Sequence, residues 1–131
     1  MKISILIPCH NEEKSIRACV LSCLTQTRLP DQVVVVNDGS TDKSLEILQE
    51  FEEFITIITL PKATGNKSHA QEIGIQYITG DVFIATDGDT VLDSNFVKFV
   101  EEDFTQNTEL SAVGGYVRRA RPNWLTACRA F

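Results

Sequence analysis

Four short runs of β-branched and aliphatic residues limit what this chain can fold into. They read ISILIP (3–8), QVVVVN (32–37), ITIITL (55–60) and DVFIAT (81–86), and each is nearly continuous in apolar side chains. Strict alternation would mark a strand with one wet face. Continuous runs mark strands covered on both faces, as in a parallel sheet. A fifth run, SAVGGYV (111–117), is a further strand candidate.

Between the runs the apolar period lengthens to that of a helix. Ile16, Cys19, Val20, Cys23 and Leu24 form one stripe; Ala70, Ile73, Gly74, Tyr77 and Ile78 form another; Phe96, Val97, Val100 and Phe104 form a third. Segment 41–53 is also helical in pattern, with Leu45 and Leu48 inward and Glu46 and Glu50 outward. Strand and helix alternating at this spacing predict βαβ units with right-handed crossovers. The expected fold is α/β, a three-layer αβα sandwich on a mostly parallel, Rossmann-like sheet. With 131 residues there is one domain to build.

A hydrophobic content of 43% and a charged content of 23% belong to a folded globular chain and argue against disorder. A net charge of -6 excludes nucleic acid as the expected partner, because phosphate backbones select basic faces. A divalent cation suits acidic clusters better. The four cysteines (Cys9, Cys19, Cys23, Cys128) make no CxxC pair, and Cys19 and Cys23 fall on a helical stripe, so all four are expected reduced. The apolar run in MKISILIPCHNEE is too short for a signal peptide. No run approaches the ~20 apolar residues of a membrane span. The expectation is a soluble, cytoplasmic domain.

In open parallel sheets ligands bind outside the carboxyl ends of the strands. Those ends carry Pro8-Cys9-His10-Asn11-Glu12-Glu13, Asn37-Asp38-Gly39-Ser40-Thr41-Asp42 and Asp87-Gly88-Asp89. All are polar and acidic. Neither GxGxxG nor GxxxxGK[ST] follows a strand, so backbone amides are not expected to cradle phosphate here. Asp87 and Asp89, at i and i+2, can point to one side and share a divalent cation with a ligand's phosphates. An Asp-Gly turn explains the same pair without a metal.

Asp38 closes the second strand and is free to accept from a ligand N–H, while Ser40 or Thr41 caps the next helix. Asn11 and Glu12 read equally as ligand contacts or as a helix start. Lys67 reads as a solvated lysine, and His10 and His69 as loop or surface residues. Arg118, Arg119 and Arg121 form a basic cluster, either an exposed face or a contact for an anionic substrate or membrane.

The segments ISILIPCHNEE, VVVVNDGSTD, GNKSHAQEIGI and FIATDGDTVLD, in this order and spacing, resemble the inverting glycosyltransferases of family 2. The resemblance covers essentially the whole chain. It implies the glycosyltransferase A-type fold and a nucleotide-sugar donor, usually a UDP-sugar. Pro8, Asn11 and Glu12 would line the nucleotide pocket, and Asp38, with Gly39 beside it, would hold the base. Lys67 would lie near the nucleotide and Asp87 on the ribose and metal side. Asp89, across Gly88, would coordinate Mn2+ or Mg2+ on the diphosphate.

The third motif departs from the family pattern, with Gln71 and Glu72 where Leu-Asn is usual. Gly88 stands where alanine is frequent, a change expected not to matter. The segment from Ser111 to Phe131 is similar to the one after DxD in membrane-bound polysaccharide synthases of the family.

On this resemblance, residues 1–131 are the donor-binding part of a truncated glycosyltransferase domain. The general base and a QxxRW-type motif would lie beyond Phe131, and transfer by this chain alone would be weak or absent. The acceptor would be a sugar, lipid or polysaccharide. Membrane association would come through sequence outside the chain, and an uncovered apolar face would favour self-association. Two rivals stay open: a non-catalytic nucleotide-binding scaffold, and a phosphohydrolase of the haloacid-dehalogenase type reading Asp87-Gly88-Asp89-Thr90-Val91 as DxDx[TV].

Overall fold

The structure is a computed structural model and describes residues 1–107. Its elements alternate as the apolar periods require. Strand β1 is Ile3–Cys9, α1 Ile16–Leu24, β2 Gln32–Asp38, α2 Ser44–Gln49, β3 Thr56–Leu60, α3 Lys67–Ile75, β4 Val82–Ala85 and α4 Phe96–Gln106. The expected fifth strand, the basic cluster Arg118, Arg119 and Arg121, and Cys128 lie outside the described residues.

All strand pairs are parallel, in the order β3-β2-β1-β4. Ser4 aligns with Gln32 and Cys9 with Asn37. Ile3 aligns with Val82, and Asp38 with Leu60. The chain steps outward from β1 to β3 and then returns to the other side of β1 to lay down β4. That reversal is a topological switch point, the place where an open α/β sheet leaves a crevice at its carboxyl edge.

The two central strands hold the core. Every residue of β1 is buried, as is every residue of β2 after Gln32. On one face Ile3, Ile5, Ile7, Val33, Val35 and Ile84 meet Ile16, Cys19, Val20 and Cys23 of α1, Ile47 and Leu48 of α2, and Phe96, Val97 and Val100 of α4. On the other face Leu6, Val34 and Val36 meet Ala70 of α3. Full burial of such a side chain contributes roughly 1.5–3 kcal/mol each, which places most of the apolar stabilisation along the whole length of the two central strands.

Three expectations are adjusted. Strand β4 alternates: Ile84 is buried while Phe83 is 42% exposed, because α3 covers β1 and β2 and leaves the outer strand's second face open among the described residues. The stripe assigned to α3 overruns the helix, and Tyr77 is 48% exposed. Past Ile73 the amides of Gln76, Tyr77 and Ile78 bond three residues back, which tightens the turn and turns Tyr77 outward while Ile78 still packs against the sheet. Helix α2 is shorter than the segment 41–53, and its inward residues are Ile47 and Leu48, with Leu45 only half-buried.

Candidate functional site

A cleft of about 560 Å3 opens at the carboxyl edge of the sheet. It is lined by Pro8, Cys9, His10 and Glu12 after β1, by Asp38 at the end of β2, by Gly65, Asn66, Lys67 and Ala70 at the start of α3, and by Asp87, Gly88 and Asp89 after β4. Residues as far apart in sequence as Pro8 and Asp89 meet here because parallel strands all present their carboxyl ends to one edge. Of the expected donor-binding residues, Asn11 and Gly39 do not line the cleft.

The acidic corner is a turn. Strand β4 ends at Ala85, and the Thr90 amide donates to the Asp87 carbonyl over 3.1 Å. Turn geometry, rather than strand alternation, brings both aspartates to the cleft. Helix α1 braces this turn from beneath: the Ser15 hydroxyl lies 3.0 Å from the Gly88 carbonyl, and the Cys19 thiol donates to the Asp87 carbonyl over 3.3 Å. Cys19 is thus a core residue that also supports the site. Lys67, from the first turn of α3, forms an ion pair with Asp87. Both side chains are about half exposed, so the pair by itself adds at most about 1 kcal/mol.

Glu12 sits over the same corner. Partial burial pushes its carboxyl above the usual range; a hydrogen bond from Ser15 opposes this, and the charges of Asp89 and Asp87 add to it. The corner therefore carries an excess of negative potential that a cation would relieve. Two carboxylates suit a hard ion such as Mg2+ or Mn2+, which takes its remaining oxygens from phosphates and water. Among the described residues no group of three or more His, Cys, Asp or Glu is placed to hold a metal unaided. Asp87 and Asp89 fit a cation shared with a ligand.

Asp38 is 4% exposed and is not free, contrary to the reading of its sequence position. Its Oδ1 accepts the Thr64 amide over 2.9 Å and its Oδ2 accepts the Thr64 hydroxyl over 2.7 Å. His10 lies with Nδ1 2.7 Å from the Asp38 carbonyl; because a carbonyl only accepts, the proton belongs on Nδ1. Gly39 has φ +60°, and a Cβ there would lie 2.3 Å from the Ala63 nitrogen. Gly39 serves the cleft by letting the loop before α3 close down on the end of β2.

Asn11 has φ +50°, in the left-handed region that asparagine tolerates better than most residues. Its side-chain oxygen accepts the amides of Thr41 and Asp42, and its own amide donates to the Ser40 hydroxyl. It ties the loop after β1 to the loop after β2. Neither Ser40 nor Thr41 caps α2, because the helix starts later than the sequence suggests: its N-cap position is Lys43, and the amide of its first residue, Ser44, is held by Asp42 Oδ1 over 2.9 Å.

Cys9 lines the cleft with its thiol pushed up to about 11, chiefly by burial, which makes it a poor nucleophile. Thr64 and Ser15 were missed as site residues. A threonine preceding Gly-Asn at a helix start was the available signal for the first; nothing local marks the second.

Comparison with known proteins agrees with this geometry. Residues 4–127 match the family model described as glycosyl transferase family 2. The poly-beta-1,6-N-acetyl-D-glucosamine synthase of Staphylococcus epidermidis is 30% identical over 121 residues, covering 88% of this chain and 28% of that protein. Among solved structures, Staphylococcus aureus TarS in complex with UDP-GlcNAc superimposes with a TM-score of 0.77 at 24% identity, covering 82% of this chain and 32% of that one. The mannosyltransferase PcManGT of Pyrobaculum calidifontis, in complex with GDP-Man and Mn2+, gives 0.71 at 21% identity, covering 92% and 36%. The first curated relatives are spanned over only 17%, 28% and 33% of their lengths. The sheet is that of the glycosyltransferase A type, and the chain belongs to glycosyl transferase family 2.

Proposed function

We propose that this chain is the donor-binding part of a metal-dependent, inverting glycosyltransferase that takes a UDP-sugar. One observation carries the reading: a single cleft gathers Asp38 from the end of β2, Lys67 from the start of α3 and the Asp87-Gly88-Asp89 turn after β4. Support comes also from TarS, solved with UDP-GlcNAc, and from PcManGT, solved with GDP-Man and Mn2+. The haloacid-dehalogenase alternative falls with the family assignment.

In this reading Asp38 accepts a ring N–H of the base, and Pro8 and Glu12 wall the nucleotide. Asp87 and Asp89 hold the cation. When bound, the cation supplies Lewis-acid stabilisation to the departing diphosphate. Lys67 places a further positive charge beside the phosphates; at an effective dielectric of ~20 a unit pair ~4 Å apart interacts by about 4 kcal/mol. The acceptor hydroxyl must lose its proton as the anomeric bond forms, a step that calls for a general base. The acceptor is a sugar, lipid or polysaccharide. The same reading carries a cytoplasmic location and any membrane contact through sequence outside these residues; among the described residues no helix is long and apolar enough to cross a membrane.

Calorimetric titration of the chain with UDP, with and without Mn2+, tests this. UDP should bind more tightly with Mn2+, and Asp89→Asn should weaken that binding by about tenfold or more, the loss expected for one charge-assisted ligand. Binding indifferent to both would remove the cation from the proposal.

A further inference from the structure

Asp38 is clamped by a residue that does not itself line the cleft. Asp38 is almost wholly buried, yet it lines the cleft, so only one edge of its carboxylate meets a ligand. What sets that edge is Thr64. A carboxylate held by one donor can still rotate about its terminal torsion, which is broad and two-fold. Two donors from a single residue, the 2.9 Å amide and the 2.7 Å hydroxyl, remove that freedom.

The Thr64 hydroxyl has one proton and three polar neighbours. Asp38 Oδ2 at 2.7 Å is the nearest and carries the charge, so it receives the proton. The hydroxyl oxygen is then left to accept the Asn66 amide, 3.3 Å away, and its 3.0 Å contact with the Asn66 carbonyl carries no proton. Asn66 in turn caps α3 through its Oδ1 and the Ser68 amide, one residue from Lys67. Asp38, Thr64 and the start of α3 thus form one connected unit, closed over Gly39.

We propose that Thr64 is a positioning residue: its two hydrogen bonds fix the plane of the Asp38 carboxylate so that its open edge selects bases presenting a ring N–H. The inference rests on the donor-site reading. A carboxylate in this pose accepts but does not donate. Uracil offers its N3–H to it; cytosine, whose N3 is an acceptor, leaves a buried acceptor facing an acceptor. Sites built this way discriminate strongly against the analogue that cannot pair.

The experiment compares UDP, N3-methyl-UDP and CDP, each with Mn2+, by calorimetry on the 131-residue chain and on its Thr64→Val and Thr64→Ser variants. The native chain should prefer UDP over both analogues by about tenfold or more. Thr64→Val keeps the amide and the shape but loses the hydroxyl; it should bring the UDP to CDP ratio toward one with little loss of CDP affinity. Thr64→Ser should restore the ratio to within about threefold of native. A merely structural residue would lower all three affinities together, and that result overturns the proposal, as does a ratio unchanged in Thr64→Val. Equal binding of UDP and N3-methyl-UDP by the native chain also overturns it, without need of a variant. If the native chain binds UDP and Asp89→Asn weakens it while Thr64→Val keeps the preference, the donor site stands and only Thr64's role fails. If no nucleotide binds, both fall.

Discussion

Gly88 and Glu12 are packed so closely that a Cβ on Gly88 would lie 3.1 Å from Cγ of Glu12. The same Cβ would come within 3.5 Å of Ile16 Cδ1. Alanine at this place looks innocuous in the sequence, but here the acidic turn is folded down onto the side chain that walls the cleft. Gly88→Ala should push Glu12 outward, costing roughly 1 kcal/mol and weakening Mn2+-dependent UDP binding a few-fold. Shortening the opposing side chain should relieve it: in a double-mutant cycle with Glu12→Ala, the two stability changes should be less than additive. Full additivity in urea unfolding would show that the contact carries no energy.

Lys67 should act with opposite sign on the two ligands. Its ammonium pairs with the Asp87 carboxylate. Lys67→Ala should therefore raise the affinity for Mn2+ alone, by about threefold at low salt, while lowering that for UDP by about tenfold. Mn2+ binding followed by electron paramagnetic resonance reads the first effect and calorimetry the second. A fall in both would mean that Lys67 only stabilises the turn.

Gly39→Ala should be among the most damaging single changes. It asks an L-residue to hold φ +60° and sets a methyl 2.3 Å from backbone nitrogen, which cannot swing aside as a side chain can. A loss of more than about 2 kcal/mol is expected, together with release of the Thr64 clamp. Thermal unfolding measures the loss, and an unaltered melting curve would contradict this packing.

Asp31 makes stability depend on pH at the far end of the sheet. Its carboxylate accepts the amide of buried Ile3 over 2.8 Å and pairs with Arg28, and these hold its pKa below the ordinary 3.8, the Ile3 hydrogen bond first. A lowered carboxylate pKa contributes stability that is present above 3.8 and is lost as pH falls through the lower, folded value. Asp31→Asn should lower the melting temperature at pH 7, by the equivalent of about 1 kcal/mol after solvent screening. The gap should close below pH 3.8. A gap that persists into acid would point to packing rather than charge.

The acidic turn shows how far spacing can be read. Asp87 and Asp89 were legible as a pair because a carboxylate couplet at a strand end is a local signal. The reason they reach the cleft was not, since it depends on the Asp87–Thr90 turn and on support from Ser15 and Cys19, some 70 positions away. Asn11 stood out equally well in the sequence, but its carbonyl oxygen is spent on the neighbouring loop. Side-chain type survives in a sequence; hydrogen-bond partner does not.

The sequence by itself determined the element types and, for the central strands β1 and β2, the covering of both faces. An unbroken apolar run is best satisfied between two layers, and a 3.6-residue stripe has only one face to bury. Which faces of the outer strands β3 and β4 stay open was set by where the helices pack. Only the tertiary structure decided the strand order β3-β2-β1-β4, and with it the crevice beside β1, because strand order depends on which edges pair at a distance. It also decided that Asp38 answers to Thr64, a contact 26 residues apart that exists only once β2 and the start of α3 share an edge.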